Sequence, residues 1–267
     1  MTPAAIEALR REILATSHAL HARGWVANHD GNLSARLDDP GEPELRVLST
    51  PTSVSKGDVA AETLVVIDAE RRVVEGTRRP PSEVGLHLAA YRARPDIRVV
   101  LHAHPPTATG FAVAGVPLPH PFLAEAAVSL GPVLPVVPWS PPGDPQAERD
   151  LASALAQADV VILDRHGVLA VGGSFEQALL RLELVEHLAR IALVAQQLGG
   201  VRPLSSDQVA ALCARGRPGS DPARAPAAEA PPAGPSPTAS LASPSSALTG
   251  ARPDVRAVVS DALSRFR

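Results

Sequence analysis

The stretch VVLHAHPP, residues 99–106, runs three apolar residues into two histidines separated only by Ala103. A short apolar run that stops at Pro-Pro reads as a buried strand, and in a strand residues i and i+2 point to the same face. His102 and His104 therefore aim two imidazoles at one place. A second run, VVILDRHG at 160–167, follows the same plan: an apolar strand ending in His166, then Gly167. Imidazole suits zinc and its first-row neighbours, and three strand-end histidines can supply three ligands while leaving positions open for substrate. The alternative is that each histidine merely hydrogen-bonds at its strand end. An HxH pair joined by a second strand-end histidine favours the metal. His18, His21, His29, His87, His120 and His187 have no such pairing and read as surface or scaffold residues.

Working outward, strand-like runs fall at 33–37, 44–49, 63–68, 72–75, 98–104, 133–138, 159–167 and 168–173. Helical spacing falls at 2–24, with Thr2 as cap and Pro3 at the first position, and at 82–93, 106–114, 121–129, 145–157 and 174–198. Ser82 is expected to cap the second helix and Ser174 the last. The pairs 63–68/72–75 and 159–167/168–173 are joined by very short turns, which implies antiparallel pairing. The fold class is thus mixed α/β, with helices packed on a mainly antiparallel sheet.

Composition changes near residue 202. The stretch 217–253 is dense in Pro, Ala, Ser and Gly and cannot bury enough apolar surface to offset ordering entropy. The expected organisation is a folded domain over about residues 1–200, a flexible linker over 201–251 with an added helix near Ser205–Arg215, and an amphipathic helix over 252–267. In that last segment Val255, Val258, Val259, Ala262, Leu263 and Phe266 share one face.

The whole chain of 267 residues is 45% hydrophobic with a formal net charge of −3. That balance gives no electrostatic reason to expect nucleic acid or an anionic membrane as partner. No apolar run approaches the roughly 18 residues of a membrane span. Cys213 is the sole cysteine, which leaves no intramolecular disulfide or CxxC metal site and fits a reducing, cytoplasmic setting.

A metal with open positions needs a proton carrier beside it. PPSEVGLH, 80–87 counted from Pro80, offers Glu83 near the start of a helix, with His87 one turn on. Taken alone, Glu83 also reads as an ordinary acidic residue favoured at a helix N-terminus. HDGNLSAR (29–36) sets Gly31 and Asn32 before a strand, and STPTSVSKGD (49–58) is a hydroxyl-rich turn. Backbone N–H groups and short hydroxyls in such turns, with the helix start at Ser82, can bind phosphate.

Taken in order, GNLSAR, TPTS, PPSE, HAHP, DRHG and a long final helix resemble the class II aldolase/adducin family over about residues 5–198. The resemblance implies a three-layer α/β/α sandwich with a central, mainly antiparallel sheet. It also implies a homotetramer and a divalent metal, typically Zn2+, held by His102, His104 and His166. By the same match Glu83 is the catalytic acid/base and can reach the metal when substrate is absent. Gly31, Asn32, Thr52, Ser53 and Ser82 fall where the substrate's phosphate and hydroxyls bind.

The activity implied is cleavage of a (deoxy)ketose 1-phosphate, such as L-fuculose 1-phosphate, to dihydroxyacetone phosphate and an aldehyde. A pentulose-phosphate 4-epimerase, a methylthioribulose-phosphate dehydratase and a non-catalytic adducin-like assembly domain share the scaffold and stand as alternatives. This chain departs from the family pattern at three points. Pro81 replaces the first of two serines, Ser53 stands where glycine is usual, and HPFL at 120–123 lacks the tyrosine that protonates the departing aldehyde. His120 or Glu125 is left to serve instead. The sole tyrosine, Tyr91, lies in an expected helix and reads as structural. The linker ending in a short amphipathic helix resembles the encapsulation peptides of bacterial microcompartment enzymes. That implies a shell protein as partner for 252–267 and the compartment lumen as a location; packing on the protein's own tetramer is the other reading.

Overall fold

The computed structural model describes residues 1–38, 44–141 and 143–215. Its helices are α1 (Pro3–Ala22), α2 (Val84–Ala93), α3 (Pro106–Ala114), α4 (Ala124–Leu130), α5 (Pro145–Leu155), α6 (Phe175–Gln197) and α7 (Ser206–Cys213). The strands are β1 (Asn32–Arg36), β2 (Val47–Ser49), β3 (Val65–Ile67), β4 (Val73–Glu75), β5 (Val99–Ala103), β6 (Val136–Val137), β7 (Val160–Leu163) and β8 (Gly167–Gly172). They form one eight-stranded sheet in the order β4-β3-β2-β1-β5-β8-β7-β6. Every pairing is antiparallel except β6 with β7.

The alternation of side chains across the sheet builds two separate cores. Leu33 and Ala35 of β1, Val99, Leu101 and Ala103 of β5, and Val168 and Ala170 of β8 pack with α1, α3, α4 and α6. Val100 of β5, and Leu169 and Val171 of β8, pack with α2 and α5 on the opposite face. The expected three layers are therefore present. β5, β7 and β8 are buried on both faces, which is why they read as nearly unbroken apolar runs.

Asn32, Ser34 and Arg36 share the α2-facing side of β1. All three are buried, so that face is polar, and it receives His87 and Tyr91 from α2. β5 lies between β1 and β8, and its register sets Asn32 opposite His102 and Leu169 opposite His102 on the other side. Because both neighbours are antiparallel, the end of β5 meets the start of β1 and the start of β8. The loop entering β1, the His-Ala-His segment and the β7–β8 turn thus converge on one edge of the sheet.

The structure departs from sequence expectation at the ends of elements. β7 stops at Leu163, and Asp164, Arg165 and His166 form the turn, with Arg165 at a left-handed φ of 52°. His166 is therefore a turn residue rather than a strand end; its N–H closes the turn on the Leu163 carbonyl at 3.1 Å. Glu83, not Ser82, occupies the cap position of α2, and the helix begins at Val84. A 3-10 turn at Ala61–Thr63, held by Thr63, has no counterpart in the sequence reading. The added helix forms as α7, capped by Ser205, within the stretch assigned to the linker. Cys213 of α7 donates to the Ala127 carbonyl of α4. The rest of the linker from 216 and the amphipathic segment 252–267 lie outside the described residues.

Candidate functional site

His102, His104 and His166 each present one ring nitrogen to a common point, with those atoms all within 4.8 Å of one another. Their ring centroids are 4.6 to 5.1 Å apart. His102 is fully enclosed in β5, and its Nδ1 lies 3.0 Å from the Val168 carbonyl. A carbonyl only accepts, so Nδ1 carries the hydrogen and Nε2 keeps its lone pair. His104 Nδ1 likewise lies 3.0 Å from the Asp30 carboxylate, which leaves its Nε2 a lone pair too. The two Nε2 atoms are 3.0 Å apart. With both hydrogens committed on the far side of the rings, that approach sets lone pair against lone pair. A cation between them turns the conflict into two bonds.

Burial pushes the His102 imidazole down to about 3, against a smaller opposing pull from Glu83. His104 is lowered by burial as well. His102 is thus neutral across the physiological range, and burial favours the neutral ring at His104 too, the form that binds metal. The donor set fits a divalent ion of the zinc type held by three nitrogens.

Glu83 completes the cluster. Its Oε1 is 2.9 Å from His166 Nε2, and its Oε2 is 3.5 Å from His102 Nε2. Burial alone would raise the Glu83 carboxyl, but His102, His166 and the Asn32 amide hold it below the usual carboxylate range. The same carboxylate raises His166. Glu83 does not cap α2 with its side chain; it turns from the helix start into the histidines.

A single line of hydrogen bonds fixes that carboxylate. Asn32 Nδ2 donates to Glu83 Oε2 at 2.6 Å, and His87 Nε2 donates to Asn32 Oδ1 at 2.5 Å. Ser34 Oγ donates to His87 Nδ1 at 2.6 Å, and the Tyr91 hydroxyl is 2.9 Å from Ser34 Oγ. Every donor in the line points towards Glu83, which requires a neutral His87 with its hydrogen on Nε2. Tyr91 is fully buried at the far end and is structural. His87, read as scaffold, supports Glu83 through Asn32.

Burial holds the His87 imidazole at about 4, against an ordinary value of 6.5, with Glu83 pulling weakly the other way. Between those values the unfolded chain takes up a proton that the folded chain refuses. Stability is therefore fully present above pH 6.5 and falls as pH drops towards 4. On the order of 3 kcal/mol is lost across that window. Denaturant unfolding of chelator-treated protein at a series of pH values measures it. In His87→Gln the loss over the same window is expected to shrink by a comparable amount.

Two glycines let the segments close up. Gly31 has φ +66°, and a Cβ there would lie 2.5 Å from Val26 Cγ1 and 3.0 Å from the His102 carbonyl. At Gly167 a Cβ would lie 2.6 Å from both the Ala103 carbonyl and His104 Cδ2. Gly167→Ala is expected to displace the His104 ring, since the β5 backbone cannot yield. A displacement near 1 Å costs about 10²-fold in kcat/KM; turnover and zinc titration of the variant check it.

The residues assigned to phosphate surround this cluster unequally. Asn32 is buried and engaged by Glu83 and His87. Thr52 is half-buried and its N–H donates to the Arg79 carbonyl at 3.0 Å, while Ser53, at φ 59°, and Ser82 are exposed. His120 donates from Nε2 to the Gly131 carbonyl, and Glu125 is exposed in the first turn of α4. Neither is hydrogen-bonded to the histidine cluster.

Sequence reasoning missed two residues. Asp30 holds His104, and Lys56 is buried between the loops at 27–31 and 50–58. Lys56 Nζ donates to the His29 and Val54 carbonyls at 3.4 and 3.3 Å. Burial lowers its pKa, while Asp30 and Glu83 oppose that shift. Asp30 could have been suspected from its place next to Gly31; nothing in the turn sequence marks Lys56 as buried.

The model of the class II aldolase and adducin N-terminal domain matches residues 11–193. The chain is 30% identical over 203 residues to a 3-oxo-tetronate 4-phosphate decarboxylase of Haemophilus influenzae, covering 74% of this chain and 93% of that protein. It is also 30% identical over 206 residues to an L-fuculose phosphate aldolase of Escherichia coli, covering 76% and 91%. A solved L-fuculose 1-phosphate aldolase superposes with a TM-score of 0.70 at 26% identity, covering 78% of this chain and 95% of that one. Since the family match runs from within α1 to within α6 and takes in every residue from Asp30 to His166, the chain belongs to the class II aldolase/adducin family.

Proposed function

We propose that the protein is a divalent-metal-dependent lyase that cleaves a ketose 1-phosphate, with His102, His104 and His166 as the metal ligands and Glu83 as the acid/base. The observation that carries this reading is the facing pair of Nε2 lone pairs beside an ionised, hydrogen-bonded carboxylate. A bound ion, zinc by the donor set, supplies Lewis-acid polarisation of the substrate carbonyl. Glu83 moves the proton at the neighbouring carbon. In the cleavage direction the C4 hydroxyl gives up its proton to the ionised Glu83 carboxylate, directly or through solvent, the C3–C4 bond breaks, an aldehyde leaves, and Glu83 delivers that proton to C3 to give dihydroxyacetone phosphate. In the synthetic direction Glu83 removes that proton. Asn32 keeps the carboxylate aimed, and the exposed hydroxyls of Ser53 and Ser82, with Thr52 and the backbone at Gly31, receive the phosphate.

Decarboxylation of a 3-oxo acid 4-phosphate is the second reading, favoured by the 30% identity to a decarboxylase of that kind. Both reactions leave the electron pair of a broken C–C bond conjugated with a ketone, and both then protonate carbon. The test is a panel of ketose 1-phosphates and a 3-oxo-tetronate 4-phosphate, with and without chelator. Dihydroxyacetone phosphate plus aldehyde, lost on chelation and restored by zinc, is the expected result. Carbon dioxide with dihydroxyacetone phosphate, formed from the 3-oxo acid alone and with no aldehyde from any ketose 1-phosphate, selects the second reading, and turnover that ignores the chelator overturns both.

A homotetramer is the proposed assembly, read out by light scattering. The segment 252–267 is proposed to dock on a microcompartment shell protein, its amphipathic pattern being the support. Removing 217–267 then spares activity and abolishes co-purification with shell protein; unchanged co-purification removes the idea.

A further inference from the structure

We propose that Asp30 is a positioning residue of the metal centre, forming a carboxylate–imidazole pair that fixes and strengthens His104 as a ligand. This rests on the metal reading above. His102 is a strand residue, enclosed by its neighbours and anchored through Nδ1 to a backbone carbonyl. His104 is different. It lies one residue beyond β5, its side chain is 23% exposed, and its backbone N–H is held by the Trp25 carbonyl at 2.8 Å. Its ring rests over Gly167, where there is no Cβ. On the far side the ring is oriented by the hydrogen bond that its Nδ1–H donates to Asp30 Oδ2 at 3.0 Å.

The loop that carries Asp30 is built to hold that contact. Asp30 Oδ1 accepts from the Ala27 N–H, and the Asp30 N–H returns to the Ala27 carbonyl at 3.0 Å, closing the turn on itself. Asn28 takes a left-handed φ of 50° within it. Lys56 grips the His29 carbonyl from the neighbouring loop. Gly31 then lets the chain pass against Val26 and the His102 carbonyl. The outcome is one carboxylate oxygen spent on the turn and the other on the imidazole.

A carboxylate on Nδ1–H locks the tautomer that leaves Nε2 free and makes that nitrogen a better donor to the ion. Asparagine at this position keeps an oxygen for Ala27. The amide nitrogen it turns to His104 is a donor and cannot accept from Nδ1–H. Loss of such an outer partner weakens metal binding by about 10- to 100-fold.

The test titrates Zn2+ into the chelator-stripped full chain against a chromophoric competitor, for wild type, Asp30→Asn and Asp30→Ala. The Co2+ absorption spectrum and the unfolding midpoint of each metal-free protein are recorded alongside. The expected result is a zinc dissociation constant raised about 10- to 100-fold in both variants, with a shifted cobalt spectrum in Asp30→Asn and its metal-free unfolding midpoint at the wild-type value. Wild-type affinity with an unshifted cobalt spectrum in Asp30→Asn overturns the proposal alone. So does a weakened affinity matched by a lowered midpoint in Asp30→Ala and absent from Asp30→Asn, which would make Asp30 only a loop residue. A wild-type chain that binds no zinc overturns this proposal together with the metal reading.

Discussion

Glu83→Gln is expected to keep its metal and lose its reaction. His102 and His104 are oriented by the Val168 carbonyl and by Asp30, and the His166 backbone is held in the β7–β8 turn; the Gln side chain keeps a polar atom for the His166 ring, which meets Glu83 at 2.9 Å. What the substitution removes is the proton carrier. A positioned acid/base contributes about 10²- to 10⁴-fold, and kcat should fall by that factor at undiminished metal content. The sharper readout isolates the proton step from bond cleavage. Wild-type protein should exchange one hydrogen at C3 of dihydroxyacetone phosphate with deuterated solvent, and Glu83→Gln should not. Exchange at the wild-type rate in the variant would take the proton role away from Glu83. A mild effect would be especially telling, because Asn32, His87 and Ser34 form a line of hydrogen bonds that ends on the Glu83 carboxylate.

His102→Ala should fail differently. It removes one of three ligands, and with it the ion. The loss of Lewis-acid stabilisation is worth several kcal/mol, or about 10³-fold or more in rate. It also empties a buried site and removes the Nδ1 hydrogen bond to the Val168 carbonyl. Cavity and lost hydrogen bond together cost about 2–4 kcal/mol of stability. The activity of His102→Ala should therefore match that of chelated wild type, and its unfolding midpoint should fall below that of chelated wild type. Added zinc should restore the latter and leave the former inactive. A variant that turns over while wild type loses activity on chelation would remove His102 from the ligand set.

These contrasts also mark what the residues disclose by themselves. The apolar run into His102 and the NLSAR alternation of β1 are local patterns, and the sheet and its two cores follow from them. The face of β1 that carries Asn32 and Ser34 is legible as polar; that it meets His87 and Tyr91 needs the packing of α2. Elements blur at their ends for the same reason. Ser82 has the chemistry of a cap, but the turn at 81–83 hands that position to Glu83, whose carboxylate is drawn to His166 rather than to the helix. His166 has the look of a strand end, but Arg165 takes a left-handed conformation and the turn closes earlier. Asp30 and His104 are 74 residues apart, and a contact across that separation leaves no periodicity to read. Lys56 sits in a hydroxyl-rich turn of the kind usually solvated, and its burial depends on the loop at 27–31 folding over it.

The proposed carbon–carbon lyase activity depends on one divalent ion held by His102, His104 and His166. Elemental analysis of the purified full-length protein, paired with turnover of a ketose 1-phosphate on the same sample, tests it most directly. One divalent ion per chain, with activity rising in proportion to occupancy as zinc is added back to the stripped protein, is the predicted result. Full activity in a sample carrying no such ion would contradict it.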